Sequence, residues 1–290
     1  MSNEYAPAGA EPVRSTEAEE ARARRPTQPR SYRGDRSVPS ASALCRSIER
    51  GEYPDRLKSS EAGAPPKGVK SDRARLPDEG CGLVHQGPQA MQYAQPHVID
   101  LLLNASSRAV ARVQQLAAER AKASGAALDE RRDPRMIVHD VNTHDGRLPG
   151  GHLTHGDGRN ADVGYFYTSE GGRGISNEFR KSGGDNTRYE TKTRLKANGE
   201  RVKWTERFLR EPAADWDVEA NWMFVEELLN APEAEVTQIL VDPVYAKLLE
   251  AKAREVLKDA EALKRAVAVI QFDGNHDNHF HISATPRPKQ

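Results

Sequence analysis

The segment Ala161-Asp-Val-Gly-Tyr-Phe-Tyr167 is rich in β-branched and aromatic residues and predicts a β-strand. Outward from it, short apolar runs predict further strands, and apolar residues spaced three to four apart predict helices. Further strands are predicted at 135–141, 236–241 and 280–282, with a hairpin around Asn198-Gly199. Helices are predicted after Pro96, from Asp217 to Leu229, and from Pro243 to about Ala266. Because these elements mix without a regular βαβ repeat, we expect an α+β fold.

Residues 1–80 differ in composition from the rest of the 290-residue chain. They contain 9 of the 18 prolines and 28 charged residues, but no Phe or Trp. Such a segment buries too little apolar surface to offset its ordering entropy, so we expect it to be disordered. The sequence therefore predicts a disordered segment, 1–80, followed by one globular domain, 81–290. Within the domain, the polar and Gly-rich residues 169–187 are expected to be an exposed insertion.

Charge and cysteine content narrow the classes of function. The chain has 43 Lys+Arg and 43 Asp+Glu, so its formal net charge of zero argues against bulk electrostatic binding to nucleic acid. The chain has no run of about 18 apolar residues, so no membrane span is predicted. Its N-terminus lacks the apolar core of a signal peptide. Cys45 and Cys81 are too few for a four-Cys zinc site. They are either two free thiols or one disulfide, and a disulfide would need an oxidising compartment.

Five of the nine histidines fall in two short clusters. The first cluster contains His152 and His155 in a Gly-rich loop and ends at Asp162, where the predicted strand begins. The second contains His276, His279 and His281. Side chains two residues apart on a strand share a face, so His279 and His281 project together and Phe280 points the other way, towards the core.

One carboxylate and imidazoles from two distant segments match a catalytic zinc site, which uses about three N/O ligands and leaves a position for water. A nearby histidine that is not a ligand can then act as a general base or stabilise an oxyanion. The spacing leaves open which of His279 and His281 is the ligand. The other polar candidates have ordinary structural interpretations. His85, His97, His139 and His144 are expected to be satisfied polar residues, Asp140, Asp157 and Asp277 to be loop or turn caps, and Arg147 and Arg159 to be solvated.

The two clusters together resemble the penicillin-insensitive murein endopeptidases, a family in the LAS group of zinc peptidases. The matching pattern is Gly151-His152-x-x-His155-x-x-Gly158, Asp162 seven residues after His155, and His276-x-x-His279-x-His281. The helix from Asp217 also looks like the family's intervening helix, and the resemblance covers about residues 80–290. Asn160 stands where family members often have Asp, and the family's core disulfides have no counterpart.

The resemblance implies a LAS-type domain with a small central antiparallel sheet and flanking helices. It implies zinc ligands His155, Asp162 and His281, with His279 as catalytic base and His276 supporting water or the oxyanion. His152 would support the site. The implied activity is zinc-dependent hydrolysis of peptide cross-links in peptidoglycan, of the D-alanyl–meso-diaminopimelyl type.

Two other functions compatible with the motifs are a D,D- or L,D-carboxypeptidase, for which Arg147 or Arg159 would bind the substrate carboxylate, and a non-catalytic zinc-containing domain that binds peptidoglycan. The expected substrate lies outside the cytoplasm, whereas the chain shows no signal peptide. We therefore expect synthesis in the cytoplasm and non-classical delivery to the periplasm or cell wall, as an injected effector or a lysin. Residues 1–80 would dock to the secretion or injection machinery, or would have no role beyond that of a flexible tail.

Overall fold

The computed structural model describes residues 73–88, 91–142, 155, 157–169, 173–180, 186–195 and 201–287. Within these ranges lie four helices: α1 Pro96–Ala123, α2 Val218–Asn230, α3 Pro243–Val256 and α4 Ala260–Val269. The strands are β1 Ala74–Arg75, β2 Glu79–Gly80, β3 Leu83–His85, β4 Tyr93–Ala94, β5 Met136–Val138, β6 Asn160–Thr168, β7 Ile175–Glu178, β8 Thr187–Leu195, β9 Arg201–Leu209, β10 Ala234–Val241, β11 Ile270–Phe272 and β12 His279–Pro286. The mixed helix and strand content agrees with the predicted class.

The main sheet has eight strands in the order β11-β10-β12-β6-β5-β3-β2, with β7 added on β6. It is larger than the small antiparallel sheet predicted, and it is mixed, because β10 pairs with β11 and β3 pairs with β5 in parallel. A parallel pair needs a long crossover. The helices α3 and α4 connect β10 to β11, and α1 lies between β3 and β5 in the chain. The strands β8 and β9 form a separate two-stranded ribbon.

The helices follow the predicted positions with one difference. Helix α1 has Pro96 in its first turn, where the missing N–H costs nothing, and α2 is capped by Asp217, whose side chain accepts from the Ala220 N–H at 3.0 Å. The single helical region predicted from Pro243 is instead two helices. Asp259 starts the second helix by accepting from the N–H of Ala262 at 2.7 Å, so a capping residue divides the region.

Strands β6 and β12 present an aromatic face to the core. Phe280 is fully buried, as predicted, and its ring centroid lies 4.6 Å from that of Tyr165 in an edge-to-face contact. Tyr165 also contacts Tyr245 at 4.9 Å and Trp216 at 5.9 Å. Because side chains alternate along a strand, Asp162, three residues before Tyr165, and His281, next to Phe280, lie on the opposite face. The packed aromatic layer therefore fixes where the polar residues are.

Two sequence-based boundaries differ from the structure. Residues 73–80, which were assigned to the N-terminal segment, carry β1 and β2, and Leu76 is fully buried. The expectation of disorder for residues 1–72 concerns positions outside the described ranges. The stretch 169–187 is not all exposed insertion, because it contains β7, where Ile175 and Asn177 are buried and the strand pairs with β6.

Two other findings concern the chain as a whole. Cys81 is buried and disulfide-bonded, so it is not a free thiol, while Cys45 lies outside the described residues. Among the residues described, no helix is both long enough and apolar enough to cross a membrane.

Candidate metal centre

The register between β6 and β12 creates the site. The two strands are antiparallel, and His281 lies directly opposite Asp162 while His279 lies opposite Gly164. Directly opposed side chains on an antiparallel pair project from the same face. The two strands therefore bring His279, His281 and Asp162 together although 119 residues separate His281 from Asp162 in the sequence.

His155 completes the group from the segment that precedes β6. Its ring is buried, and Nδ1 is hydrogen-bonded to the main-chain carbonyl of Val141. A carbonyl only accepts, so Nδ1 carries the proton and Nε2 is left to face Oδ1 of Asp162 at 3.2 Å. Asn142 holds the adjacent backbone, because its side chain donates to the Asn160 carbonyl at 2.8 Å and accepts from the Gly158 N–H at 3.2 Å.

His155, Asp162 and His281 could hold a metal ion. One ligand atom from each lies within 4.8 Å of the others, and all three residues are buried. Two ligands bound tetrahedrally to zinc lie about 3.3 Å apart. The distances from Asp162 Oδ1 to His155 Nε2, 3.2 Å, and to His281 Nδ1, 2.8 Å, are close to that value. A donor set of two imidazoles and one carboxylate fits zinc and leaves the fourth position to other groups.

The charge of Asp162 dominates the electrostatics of the group. Burial alone would raise the pKa of this carboxyl, but the electrostatic interaction with His279 and the close contacts with His155 and His281 outweigh it and hold the pKa well below its usual value. Burial likewise opposes protonation of His155, yet its contact with Asp162 raises its pKa. A metal and a proton therefore compete for His155, and the ionised Asp162 favours either cation.

His279 stands beside the three candidate ligands, and one of its ring nitrogens forms no hydrogen bond to the residues that the structure describes. Its Nδ1 lies 2.6 Å from Asn278 Oδ1, which only accepts, so Nδ1 carries the proton. Nε2 then faces Asp162 Oδ1 at 3.8 Å without a proton. The ring stacks on Phe179 with centroids 5.5 Å apart and planes 20° apart. Burial lowers the pKa of His279 to about 3, so the imidazole is neutral near pH 7.

His276 occupies the other side of the group. Its ring lies 5.1 Å from that of His279 and 5.6 Å from that of His281. Burial lowers its pKa, and its Nδ1 is buried with no hydrogen-bond partner among the described residues. The main chain around it is fixed, because its carbonyl accepts from the Tyr165 hydroxyl at 2.7 Å and from the Asp242 N–H at 3.1 Å.

The remaining predicted residues have mixed outcomes. His97 is a satisfied polar residue, with Nε2 3.3 Å from the Ala284 carbonyl, and Asp157 caps its turn by accepting from the Arg159 N–H at 2.9 Å. Asp277 is not a cap but the buried half of an ion pair with the partly exposed Arg207, at 2.6 Å. His144, Arg147 and His152 lie outside the described residues.

Two aromatic contacts at the site carry no local sequence signal. Phe179 follows β7 and stacks on His279, and its ring also lies 5.1 Å from that of His139. His139 is in turn 3.0 Å from Asp140, whose hydrogen bonding raises the pKa of His139. Both residues reach the site only through the pairing of β5 and β7 with β6. Their sequence neighbours contain no metal-binding or catalytic motif that would have identified them.

The structure therefore brings together five residues of the two predicted clusters: His155, Asp162, His276, His279 and His281. Similarity to characterised proteins does not extend this assignment. A comparison with protein-family models finds no match for the chain, and a search of curated proteins finds no significant relative.

Proposed function

We propose that this protein is a zinc peptidase that hydrolyses peptide cross-links in peptidoglycan. One observation carries the proposal: a buried group of two imidazoles and one carboxylate able to hold a metal, with a neutral histidine, His279, 3.8 Å from that carboxylate. The resemblance of the two histidine motifs to the penicillin-insensitive murein endopeptidases supports the substrate class.

His155, Asp162 and His281 would hold the zinc. A zinc ion in such a site supplies Lewis-acid polarisation of the scissile carbonyl and lowers the pKa of a water molecule towards about 7. Val141 orients His155 through its carbonyl, and the packed β6–β12 pair fixes Asp162 and His281. Fixed ligands of this kind maintain the geometry of the site without reorganisation during the reaction.

His279 would be the general base. Asn278 holds the proton on Nδ1, so Nε2 can accept the proton of an attacking water on the side that faces Asp162. The flat contact with Phe179 restricts rotation of the ring. After attack, the same Nε2 can return the proton to the leaving amine. His276, whose Nδ1 has no hydrogen-bond partner within the described ranges, would stabilise the oxyanion of the tetrahedral intermediate.

The direct test is digestion of purified sacculi followed by mass spectrometry of the released muropeptides. Wild-type protein with zinc should convert cross-linked dimers to monomers, and EDTA or His281→Ala should stop the conversion. A pentapeptide monomer supplied in parallel separates the endopeptidase from a carboxypeptidase, which would remove its terminal residue. Intact cross-links in the presence of fully zinc-loaded protein would reject the proposal.

Delivery by way of the N-terminal segment is part of the same proposal. The folded residues 73–80 must stay in any truncation, because Leu76 is buried in the domain. A deletion of residues 1–44 also keeps both cysteines. This variant should retain hydrolysis in vitro and lose export to the cell wall, and unchanged export would refute a loading role for residues 1–44.

A further inference from the structure

The ribbon formed by β8 and β9 carries an excess of positive charge, although the formal net charge of the chain is zero. Its two strands contain six Lys or Arg and two Glu, a formal net charge of +4. The chain as a whole has equal numbers of basic and acidic residues. Such a local excess raises the concentration of anions near the ribbon.

The register divides the ribbon into two faces of different chemistry. On one face the charges are neutralised internally: Glu190 pairs with Arg188 and Lys192, and Lys192 also lies 3.6 Å from Glu206. We call the other face the open face. It carries exposed side chains of six residues: Tyr189, Thr191, Thr193, Arg201, Lys203 and Thr205.

Two cations of the open face, Arg201 and Lys203, are exposed and accessible to a ligand. Neither Arg201 nor Lys203 has an acidic partner within the described part of the chain, and neither carboxylate of the ribbon lies on this face. Tyr189 is 65% exposed, so its ring is accessible to a ligand. A row of cations, hydroxyls and one aromatic ring suits an extended ligand that carries carboxylates and amide or sugar groups.

The open face is continuous with the proposed catalytic site. The main chain of Arg207, opposite Tyr189, exchanges hydrogen bonds with Asn275: its carbonyl accepts at 2.8 Å and its N–H donates to the Asn275 side chain at 3.1 Å. The Arg207 guanidinium pairs with buried Asp277, next to His276. From Arg207 to Arg201 the strand extends for about 20 Å. One end of the open face therefore adjoins the loop that carries His276.

We propose that the open face binds the carboxylate-bearing peptide strands of the wall polymer and holds them next to the catalytic site. This inference rests on the proposed function, because that function supplies the ligand. Nucleic acid is the less suitable anion. Two cations match few phosphates, whereas proteins bound through the nucleic-acid backbone make about 6–10 such contacts.

The test compares two charge-reversal variants in the catalytically disabled His281→Ala background. R201E/K203E reverses the open face, and K264E/R265E makes the same change in charge at two exposed residues of α4. Retention on purified sacculi is measured by co-sedimentation at low and physiological salt. We expect R201E/K203E to weaken binding by about tenfold at low salt, while the control stays within about twofold. Equal binding by both variants, or equal loss in both, would overturn the proposal.

Cleavage assays and a binding measurement with an oligonucleotide, as a second polyanion, complete the test. In protein that retains His281, R201E/K203E should cleave both sacculi and a short soluble muropeptide dimer more slowly than the wild type, whereas K264E/R265E should cleave both at the wild-type rate. If the milder R201Q/K203Q also binds sacculi normally, the proposal is wrong. If the wild type binds an oligonucleotide as tightly as it binds sacculi, and R201E/K203E loses that binding, the assignment of peptide as the ligand is overturned. If the wild type cleaves neither substrate, and R201E/K203E alone loses binding to sacculi, the proposed hydrolysis is wrong but the proposed binding surface is supported.

Discussion

Gly164 provides a test of the packing that holds β6 in place. It lies opposite His279, on the same face of β6 as Asp162. A Cβ added at Gly164 would be 2.6 Å from Asn177 Oδ1 and 2.9 Å from the main-chain oxygen of Glu178. Asn177 cannot move without loss, because Oδ1 accepts from the Ile137 N–H at 2.8 Å and Nδ2 donates to the Gly164 carbonyl at 2.7 Å.

The cost of Gly164→Ala follows from these contacts. Overpacking a well-filled site costs about 1–3 kcal/mol. If Asn177 turns away, the N–H of Ile137 loses its partner, and an unsatisfied buried donor costs a further ~1–3 kcal/mol. We therefore expect Gly164→Ala to lower the free energy of unfolding by about 2–6 kcal/mol in total.

Denaturant titration of the metal-free protein measures this loss. Gly125→Ala serves as a control, because a Cβ at Gly125 meets no atom within 4 Å and introduces only the backbone strain of a φ of +67°. A double-mutant cycle with Asn177→Ala isolates the cause. The double variant should lose less than the sum of the single losses, since both changes remove the same hydrogen bonds. A loss below about 1 kcal/mol for Gly164→Ala, or strict additivity in the cycle, would refute the reasoning.

Three further predictions concern the metal, the base and acid stability. His281→Ala should reduce bound zinc from about one equivalent to near none. The control His97→Ala removes a ring that contacts the Ala284 carbonyl and should retain the zinc. An equal amount of bound zinc in the two variants would contradict the ligand assignment. Asn278→Ala should lower kcat about tenfold, because it removes one hydrogen bond from His279. Asn278→Asp keeps the acceptor and should retain most activity, so equal damage in the two variants would reject the orienting role. Burial lowers the pKa of His85 from 6.5 to about 4. The unfolded chain therefore binds this proton first, and the free energy of unfolding should fall as the pH drops from 6.5 to 4. In denaturant titrations across this range, His85→Gln should flatten the decline, and an unchanged slope would show that His85 is not its source.

The sequence predicted the parts of the site that local patterns specify. Alternation along a strand put His279 and His281 on one face and Phe280 on the other, and this is confirmed by the burial of Phe280. The spacing of His155 and Asp162 pointed to a loop that leads into a strand, which the structure contains. The catalytic roles assigned to His279 and His276 stay predictions.

Contacts that depend on tertiary packing could not be predicted from the sequence. Phe179 reaches His279 only because β7 pairs with β6, and β7 is a short strand in a Gly-rich stretch with few apolar residues. The ion pair between Arg207 and Asp277 joins residues 70 positions apart. The two parallel strand pairs also escaped prediction, because strand direction depends on how helices cross the sheet rather than on periodicity within a strand.

The position of β12 in the sheet has a consequence for the order in which the site is built. This strand lies between β10 and β6, yet it is the last of the described strands along the chain. During synthesis, β6 and its carboxylate leave the ribosome long before His281, which is 119 residues further on. A nascent chain therefore contains His155 and Asp162 but not yet His281, so it cannot bind a metal through all three candidate ligands. The proposed hydrolysis would therefore become possible in one late step, when the final strand inserts between its two neighbours.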